Sequence, residues 1–224
     1  MSALPNPDPF LEYSNLRHAM VQDQLRARNI RDERVLAAME RVPRHEFVPA
    51  RFQAQAYEDH PVAIGEQQTI SQPFVVASML EVAAIQPADV VLEVGTGSGY
   101  QTALLAELAA EVFSIERYPS LAESAQKILA RLNYANIVIQ VGDGSAGLPN
   151  AAPFDVIVVS AATPAVPDVL IDQLREGGRL VLPVGNPEEQ HLHLVRKIND
   201  VALDRVLYSC KFVPLIGKFG FRAP

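Results

Sequence analysis

The chain is predicted to fold as an α/β domain: a mainly parallel, doubly wound sheet with an antiparallel C-terminal edge and helices at its N-terminus. Three observations predict it. From residue 90 onward, short runs rich in Val and Ile alternate with helical segments, the rhythm of βαβ units. These runs are continuously apolar, as strands covered on both faces are. A length of 224 residues with 49% hydrophobic content supplies one good core and little for a second. One domain over residues 1–224 is therefore expected, with 1–14 a flexible lead-in, 15–85 a helical region and 86–217 the sheet core.

The first ten residues, MSALPNPDPF, read as unstructured because prolines and small polar groups dominate them. LRHAMVQDQLRARN (16–29) and DERVLAAMER (32–41) repeat apolar residues at three- and four-residue spacing, which predicts two helices, the second with Asp32 as N-cap. Residues 42–62 carry Pro43, Pro49 and Pro61 among aromatics and read as loop with a short helix. Strands are expected at 90–94, 111–115, 136–141, 155–160 and 179–184, and helices near 98–109, 119–132 and 167–175. After Gly185, HLHLVRKI and RVLYSCKFV flank a polar Asn199-Asp200 turn and predict two antiparallel strands closing the sheet edge.

The formal charge of −7 argues against a broad nucleic-acid footprint, which Lys and Arg would dominate. Residues 17–51 depart from this balance with eight arginines against five acids. A solvated helical face is the plain explanation, and a polyanion site is the competing one. No apolar run reaches the roughly 20 residues that span a bilayer, and the N-terminus lacks a signal-peptide pattern, so a cytoplasmic, membrane-free protein is expected. Cys210 is the only cysteine, which excludes an intrachain disulfide or a Cys-built zinc site. His18, His45, His60, His191 and His193 show no ligand spacing with acids, and no metal is expected.

The most informative stretch is VVLEVGTGSGYQTALLAELA, where the first core strand runs through Gly95, Gly97 and Gly99 directly into a helix. Glycines suit a turn that a ligand approaches closely and that requires positive φ, and the helix start presents free N–H groups. A dinucleotide site wants G-x-G-x-x-G, but Tyr100 stands where the third glycine would fall, and the spacing is G-x-G-x-G with Glu93 two residues ahead. An acid there suits the cationic amino-acid end of a sulfonium cofactor and would be poorly placed beside a pyrophosphate. This form resembles the first motif of S-adenosylmethionine-dependent methyltransferases, whose Rossmann-like class I fold is the one expected here. Glu116 ends the next strand 23 residues beyond Glu93, where a carboxylate can accept both ribose hydroxyls; an exposed strand-end charge is the bland alternative. Asp143-Gly144 ends the third strand.

AYEDHPVAIGEQQTISQPFVVASMLEVA is similar to the signature of the protein-L-isoaspartate O-methyltransferase family, in which Gln-Thr-Ile-Ser leads to a proline and a helix. RVPRHEFVP, GDGSAGLP, LREGGRLVLPVG and FVPLIG extend the resemblance, in order, over roughly residues 17–217. The resemblance implies that S-adenosylmethionine is held by Gln68, Thr69, Ile70, Ser71, Glu93, Gly95, Thr96, Gly97, Gly99, Glu116, Asp143 and Gly144, with the Asp-Gly pair beside the adenine. It implies Ser71 as the catalytic residue, and Ile64, Ser71, Val213, Pro214 and Leu215 on the acceptor side. Residues 15–85 then become the substrate-side region. One departure is Gln67, where the family usually has glycine or a small polar residue.

A Ser two residues before Pro73 at a helix start is also what capping alone selects, and both roles are compatible. The implied reaction methylates the free α-carboxylate of L-isoaspartyl residues in damaged peptides and proteins, yielding S-adenosylhomocysteine. A carboxylate of ordinary pKa near ~4 is already ionised at neutral pH, so no general base is required and orientation is the main task. Ser71 would orient the acceptor rather than act as a nucleophile. A monomer acting on isoaspartyl proteins, without nucleic acid, is expected. The alternatives are an aspartate methyltransferase for a particular peptide, an RNA or small-molecule methyltransferase, and a non-catalytic module binding S-adenosylmethionine.

Overall fold

The computed structural model describes residues 9–222. Of the expected lead-in, residues 1–8 lie outside the described residues, and 9–14 are helical because α1 (Pro9–Ala19) starts at a proline, whose fixed φ suits a first turn. The expected first helix is not uniform. α1 passes into a π-helical turn at Met20–Leu25 and a 3-10 turn at Arg26–Arg28, and ends on Asn29 in the left-handed region (φ 69°). The second helix, α2 (Glu33–Arg41), is capped as expected: the Asp32 side chain accepts from the Arg34 and Val35 amides.

Residues 44–47 and 50–55 form 3-10 turns, and then comes a hairpin that periodicity did not indicate: β1 (Val62–Gly65) antiparallel to β2 (Gln68–Ile70). Its turn residues Glu66 and Gln67 both have positive φ, 47° and 57°, the conformation of a type I′ hairpin turn. α3 (Pro73–Ala83) follows, again opening on a proline.

The core strands are β3 (Val90–Val94), β4 (Glu111–Glu116), β5 (Ile137–Val141), β6 (Phe154–Val159) and β7 (Leu174–Gly185), all mutually parallel where paired. α4 (Tyr100–Leu108) and α5 (Pro119–Arg131) fill the first two crossovers. The helix expected over 167–175 is only α6 (Asp168–Ile171), because Leu174 already pairs with Phe154 and the Arg-Glu-Gly-Gly stretch belongs to β7 through a register irregularity. β8 (Gln190–Ile198) and β9 (Val201–Cys210) are antiparallel, as the C-terminal pattern predicts, and the sheet order is β5-β4-β3-β6-β7-β8-β9.

Alternation along the strands divides the interior into two cores. Val91, Val156, Val158 and Val181 face one, together with α2, α3 and α4; Leu92, Ile157, Val159, Leu180 and Leu182 face the other, with Leu170 of α6. Near-zero exposure of these side chains on both faces is why the strands read as unbroken apolar runs.

The N-terminal arginines are mostly tethers. Arg26 grips both carboxylate oxygens of Glu33 (2.7 and 2.6 Å), Arg28 pairs with Asp59 (2.6 Å), Arg34 donates to the carbonyls of Ile85 and Leu108, and Arg41 pairs with Glu107. The first two contacts brace the N-terminal region internally, and those of Arg34 and Arg41 fasten it to the sheet core at α4. Cys210 is half-buried, and burial pushes its thiol up to about 11, away from reactive thiolate chemistry.

Candidate functional site

The carboxyl ends of β3, β4, β5 and β6 open into a cavity of about 430 Å³, closed from above by the β1–β2 hairpin and by residues 213–216. That is where ligands sit in open α/β sheets, and the volume suits a nucleoside-sized ligand.

The glycine loop forms the floor. Gly95, Gly97 and Gly99 have φ of 97°, 55° and 88°, a region that costs other residues roughly 1–2 kcal/mol. They divide the work: Gly95 and Gly97 line the cavity, whereas Gly99 does not, because a Cβ there would stand 3.0 Å from Ala125 Cβ on α5. Gly99 thus serves close helix packing. Thr96 lines the cavity, with its hydroxyl turned inward onto Ser114 Oγ at 2.6 Å.

Glu93, expected to meet a cationic ligand directly, lies behind the loop. It is fully buried and accepts hydrogen bonds from Thr102 Oγ1, Ser114 Oγ (2.7 Å) and Gln101 Nε2 (3.2 Å). Burial pushes its carboxyl up to about 7, against the pull of those hydroxyls and the amide. Between Glu93 and the cavity stand Gln101 and Ser160, both lining residues, joined by a 2.7 Å hydrogen bond.

Glu116 does line the cavity. Its Oε2 accepts from the Gly97 amide (2.9 Å) and its Oε1 from the Tyr118 amide (3.0 Å), which fixes the carboxylate at the strand end. Of the Asp143-Gly144 pair only Gly144 faces the cavity, and a Cβ there would stand 2.6 Å from Val94 Cγ1, so no larger residue fits. Asp143 instead caps a 3-10 turn at Gly144–Ala146: Oδ1 accepts from Ser145 N and Oγ, and Oδ2 from Lys218 N at 2.8 Å. Partial burial pushes this carboxyl up, but the hydrogen bonds outweigh it and hold it below the usual aspartate value.

On the opposite wall, Gln68, Thr69, Ile70 and Ser71 line the cavity together with Val213, Pro214 and Leu215. The C-terminal segment is held against the end of β6 by reciprocal bonds, Ala162 N to Val213 O and Leu215 N to Ala162 O, both 2.8 Å. Ile64 reaches the loop from above: its Cδ1 is 3.6 Å from where a Cβ at residue 97 would stand. Helix α3 takes no side-chain cap, its N-cap position being Gln72, so capping does not account for Ser71. The hairpin tip is latched over the cavity mouth by Ser120 Oγ donating to Glu66 Oε1 at 2.7 Å.

Sequence reasoning missed three residues. Gln101 and Ser160 sit inside ordinary helix and strand-end patterns. Arg44, in an arginine-rich stretch that reads as surface, is fully buried and donates to Ala56 O (2.6 Å) and Ser71 O (2.8 Å), with its guanidinium 4.8 Å from the Tyr100 ring centre. Burial pushes it down to about 10, so it still carries its charge at neutral pH. Among the described residues no group of three His, Cys, Asp or Glu side chains is placed to hold a metal.

The parallel sheet, the G-x-G-x-G floor and the strand-end Glu116 define an S-adenosylmethionine-dependent methyltransferase of class I. The family model described as Protein-L-isoaspartate(D-aspartate) O-methyltransferase (PCMT) matches residues 15–220, and the chain belongs to that family. A protein-L-isoaspartate O-methyltransferase of Koribacter versatilis is 57% identical over 205 residues, which is 92% of each chain. A solved protein-L-isoaspartate O-methyltransferase superposes with a TM-score of 0.82 at 27% identity, covering 91% of this chain and 67% of its own. A second solved structure, described as a beta-aspartate methyltransferase (PCMT) of Plasmodium falciparum in complex with S-adenosyl-L-homocysteine, gives 0.77 at 25% identity, covering 91% and 98%.

Proposed function

We propose that this cavity carries out the family's repair reaction, methyl transfer from S-adenosylmethionine to the free α-carboxylate of L-isoaspartyl residues, with Ser71 orienting the acceptor. The observation that carries the assignment is the setting of Ser71: it lines the cavity opposite the glycine loop, does not cap α3, and its carbonyl is pinned by buried Arg44.

The residues fit the cofactor. Glu116, held by two backbone amides, presents a carboxylate to the ribose hydroxyls, and Gly144 leaves a side-chain-free surface for the flat adenine. The bound cofactor supplies an electrophilic methyl group on a cationic sulfur. The chain's own task is positioning, worth up to roughly 7–11 kcal/mol in favourable cases. The Ser71 hydroxyl donates to the acceptor carboxylate and aims its other oxygen inward, while Val213, Pro214 and Leu215 exclude water from the meeting of carboxylate and sulfonium. The acceptor is already ionised and no side chain takes a proton.

Transfer of labelled methyl from the cofactor to matched Asp and isoAsp peptides tests the reading, with esterification of the isoAsp peptide expected; if neither peptide is esterified it fails. Ser71→Ala is expected to lower turnover at least about tenfold with little change in cofactor affinity, the cost of one hydrogen bond to a charged group; unchanged turnover removes Ser71 from the site.

A second reading, a preference for aspartate in a particular peptide, has one observation in its favour. Gln67 brings a long side chain to the cavity mouth at a hairpin position where φ is 57°. Methylation of the Asp peptide in preference to isoAsp would select it. Transfer to RNA gains little from the N-terminal arginines, whose guanidinium groups are largely engaged within the protein. The reading is completed by a monomer acting in the cytoplasm; no helix among the described residues is long and apolar enough to cross a membrane.

A further inference from the structure

We propose that Gln101 and Ser160 bind the amino-acid end of the cofactor, with Gln101 Oε1 accepting from its α-ammonium and the Ser160 hydroxyl donating to its α-carboxylate. The inference rests on the reading of the cavity as the cofactor site.

Gln101 stands in the first turn of α4, and its Nε2 donates to two partners, Glu93 Oε1 at 3.2 Å and Ser160 Oγ at 2.7 Å. Both amide protons are thereby committed. In its carboxylate form, which a cation bound beyond the amide favours, Glu93 only accepts and so fixes which end of the amide turns inward. The carbonyl oxygen Oε1 is left over. It has no partner among the described residues, yet it is not sealed away, because Gln101 is 8% exposed and that exposure is to the cavity it lines.

Ser160 is constrained in the complementary sense. Its oxygen already accepts from Gln101, so its own proton is free to be donated, and it too lines the cavity. Its position over the loop is fixed: its amide donates to Val94 O at 2.8 Å, and its Cβ lies 3.5 Å from where a Cβ on Gly95 would stand. One wall of the cavity thus offers an acceptor and a donor side by side.

An ammonium next to a carboxylate is what such a pair complements. The charge behind it decides which ligand the pair takes. Glu93 polarises the amide, and a hydrogen-bonded chain from carboxylate to amide strengthens its outer acceptor. That field attracts a cation and repels the anionic acceptor carboxylate, which belongs on the Ser71 wall. Glu93 therefore reaches the cation through Gln101, from a site where it is fully buried.

The test compares two adenosine ligands by calorimetry: S-adenosylhomocysteine, and 5′-methylthioadenosine, which lacks the amino-acid end. Gln101→Leu is expected to weaken S-adenosylhomocysteine at least about tenfold, the loss for one hydrogen bond to a charged group, while methylthioadenosine changes less than about twofold. Ser160→Ala should show the same selective loss, and Ser160→Thr, which keeps the hydroxyl, should restore binding. Equal loss of both ligands would mean a distorted loop and overturns the proposal. So would unchanged affinity for S-adenosylhomocysteine accompanied by a raised KM for the isoaspartyl peptide. Failure of the unmodified protein to bind S-adenosylhomocysteine at all would instead sink the cofactor reading beneath it.

Discussion

The two walls of the cavity are built on different principles. The loop wall grows out of parallel strand ends, and the polar groups behind it are buried and mutually satisfied: Glu93, Thr96, Thr102 and Ser114 bond one another at 4% exposure or less. The facing wall is a short hairpin and a C-terminal segment, with Glu66, Gln67, Thr69 and Pro214 exposed, held in place by a few backbone bonds, Arg44 and the Glu66–Ser120 latch. A cofactor is one fixed shape and rewards a preorganised wall; peptide acceptors vary in sequence and reward a wall that adapts.

Breaking the adaptable wall at its anchor gives the largest effect. Arg44→Leu leaves the carbonyls of Ala56 and Ser71 without their donor inside the protein. With each buried unsatisfied group costing about 1–3 kcal/mol, a loss of about 2–5 kcal/mol is expected in denaturant unfolding. Turnover on isoaspartyl peptide should fall in the surviving folded fraction while S-adenosylhomocysteine affinity holds. Equal loss of both would show that the walls do not act separately.

A smaller effect is expected on the loop wall, through Glu93. Its carboxyl is raised by burial to about 7, from an ordinary 4.5. Between those values the folded state holds a proton that the unfolded chain has released, so this contribution to stability is complete below about pH 4.5 and is lost as pH rises through 7. Glu93→Gln should flatten the fall in stability of the cofactor-free protein between pH 5 and pH 8, read as denaturation midpoints. A profile parallel to that of the unmodified protein would place the titrating group elsewhere.

The smallest effect sharpens the comparison at the hairpin tip. Gln67 sits at a φ of 57° with no need for its side chain in the turn, so Gln67→Gly should stabilise the protein by about 0.5–1 kcal/mol. If Gln67 also selects peptides, the same variant will change relative kcat/KM across a peptide panel without changing cofactor affinity. A destabilised variant would mean that the side chain makes a stabilising contact of its own.

Legibility in the sequence followed how local each signal is. The core strands could be read because burial on both faces leaves continuous apolar runs, and 90–94 coincides with β3 (Val90–Val94). The β1–β2 hairpin could not: its strands have four and three residues, and Glu66-Gln67 replaces the Asn-Gly or Asp-Gly pair that normally announces such a turn. The start of β7 was hidden because Arg-Glu-Gly-Gly looks like a turn, and the helix before it is a single turn of four residues. That the glycine loop and Glu116 stand at the cavity was readable because strand-end geometry dictates their spacing, whereas Gly144 was singled out by the family resemblance. The indirect positions of Glu93 and Asp143, and the parts played by Arg44, Gln101 and Ser160, come from contacts between distant elements, which no local pattern records.

Asp143, which the family resemblance placed beside the adenine, has a consequence beyond its own turn. One carboxylate oxygen holds Ser145 and shapes the Gly144 surface, and the other holds the Lys218 amide just beyond the segment that faces the acceptor. The two walls, so different in construction, hang from one shared rivet. Damage at residue 143 would therefore show up as simultaneous failure in recognising two unrelated molecules, a signature that no lining residue on either wall should produce.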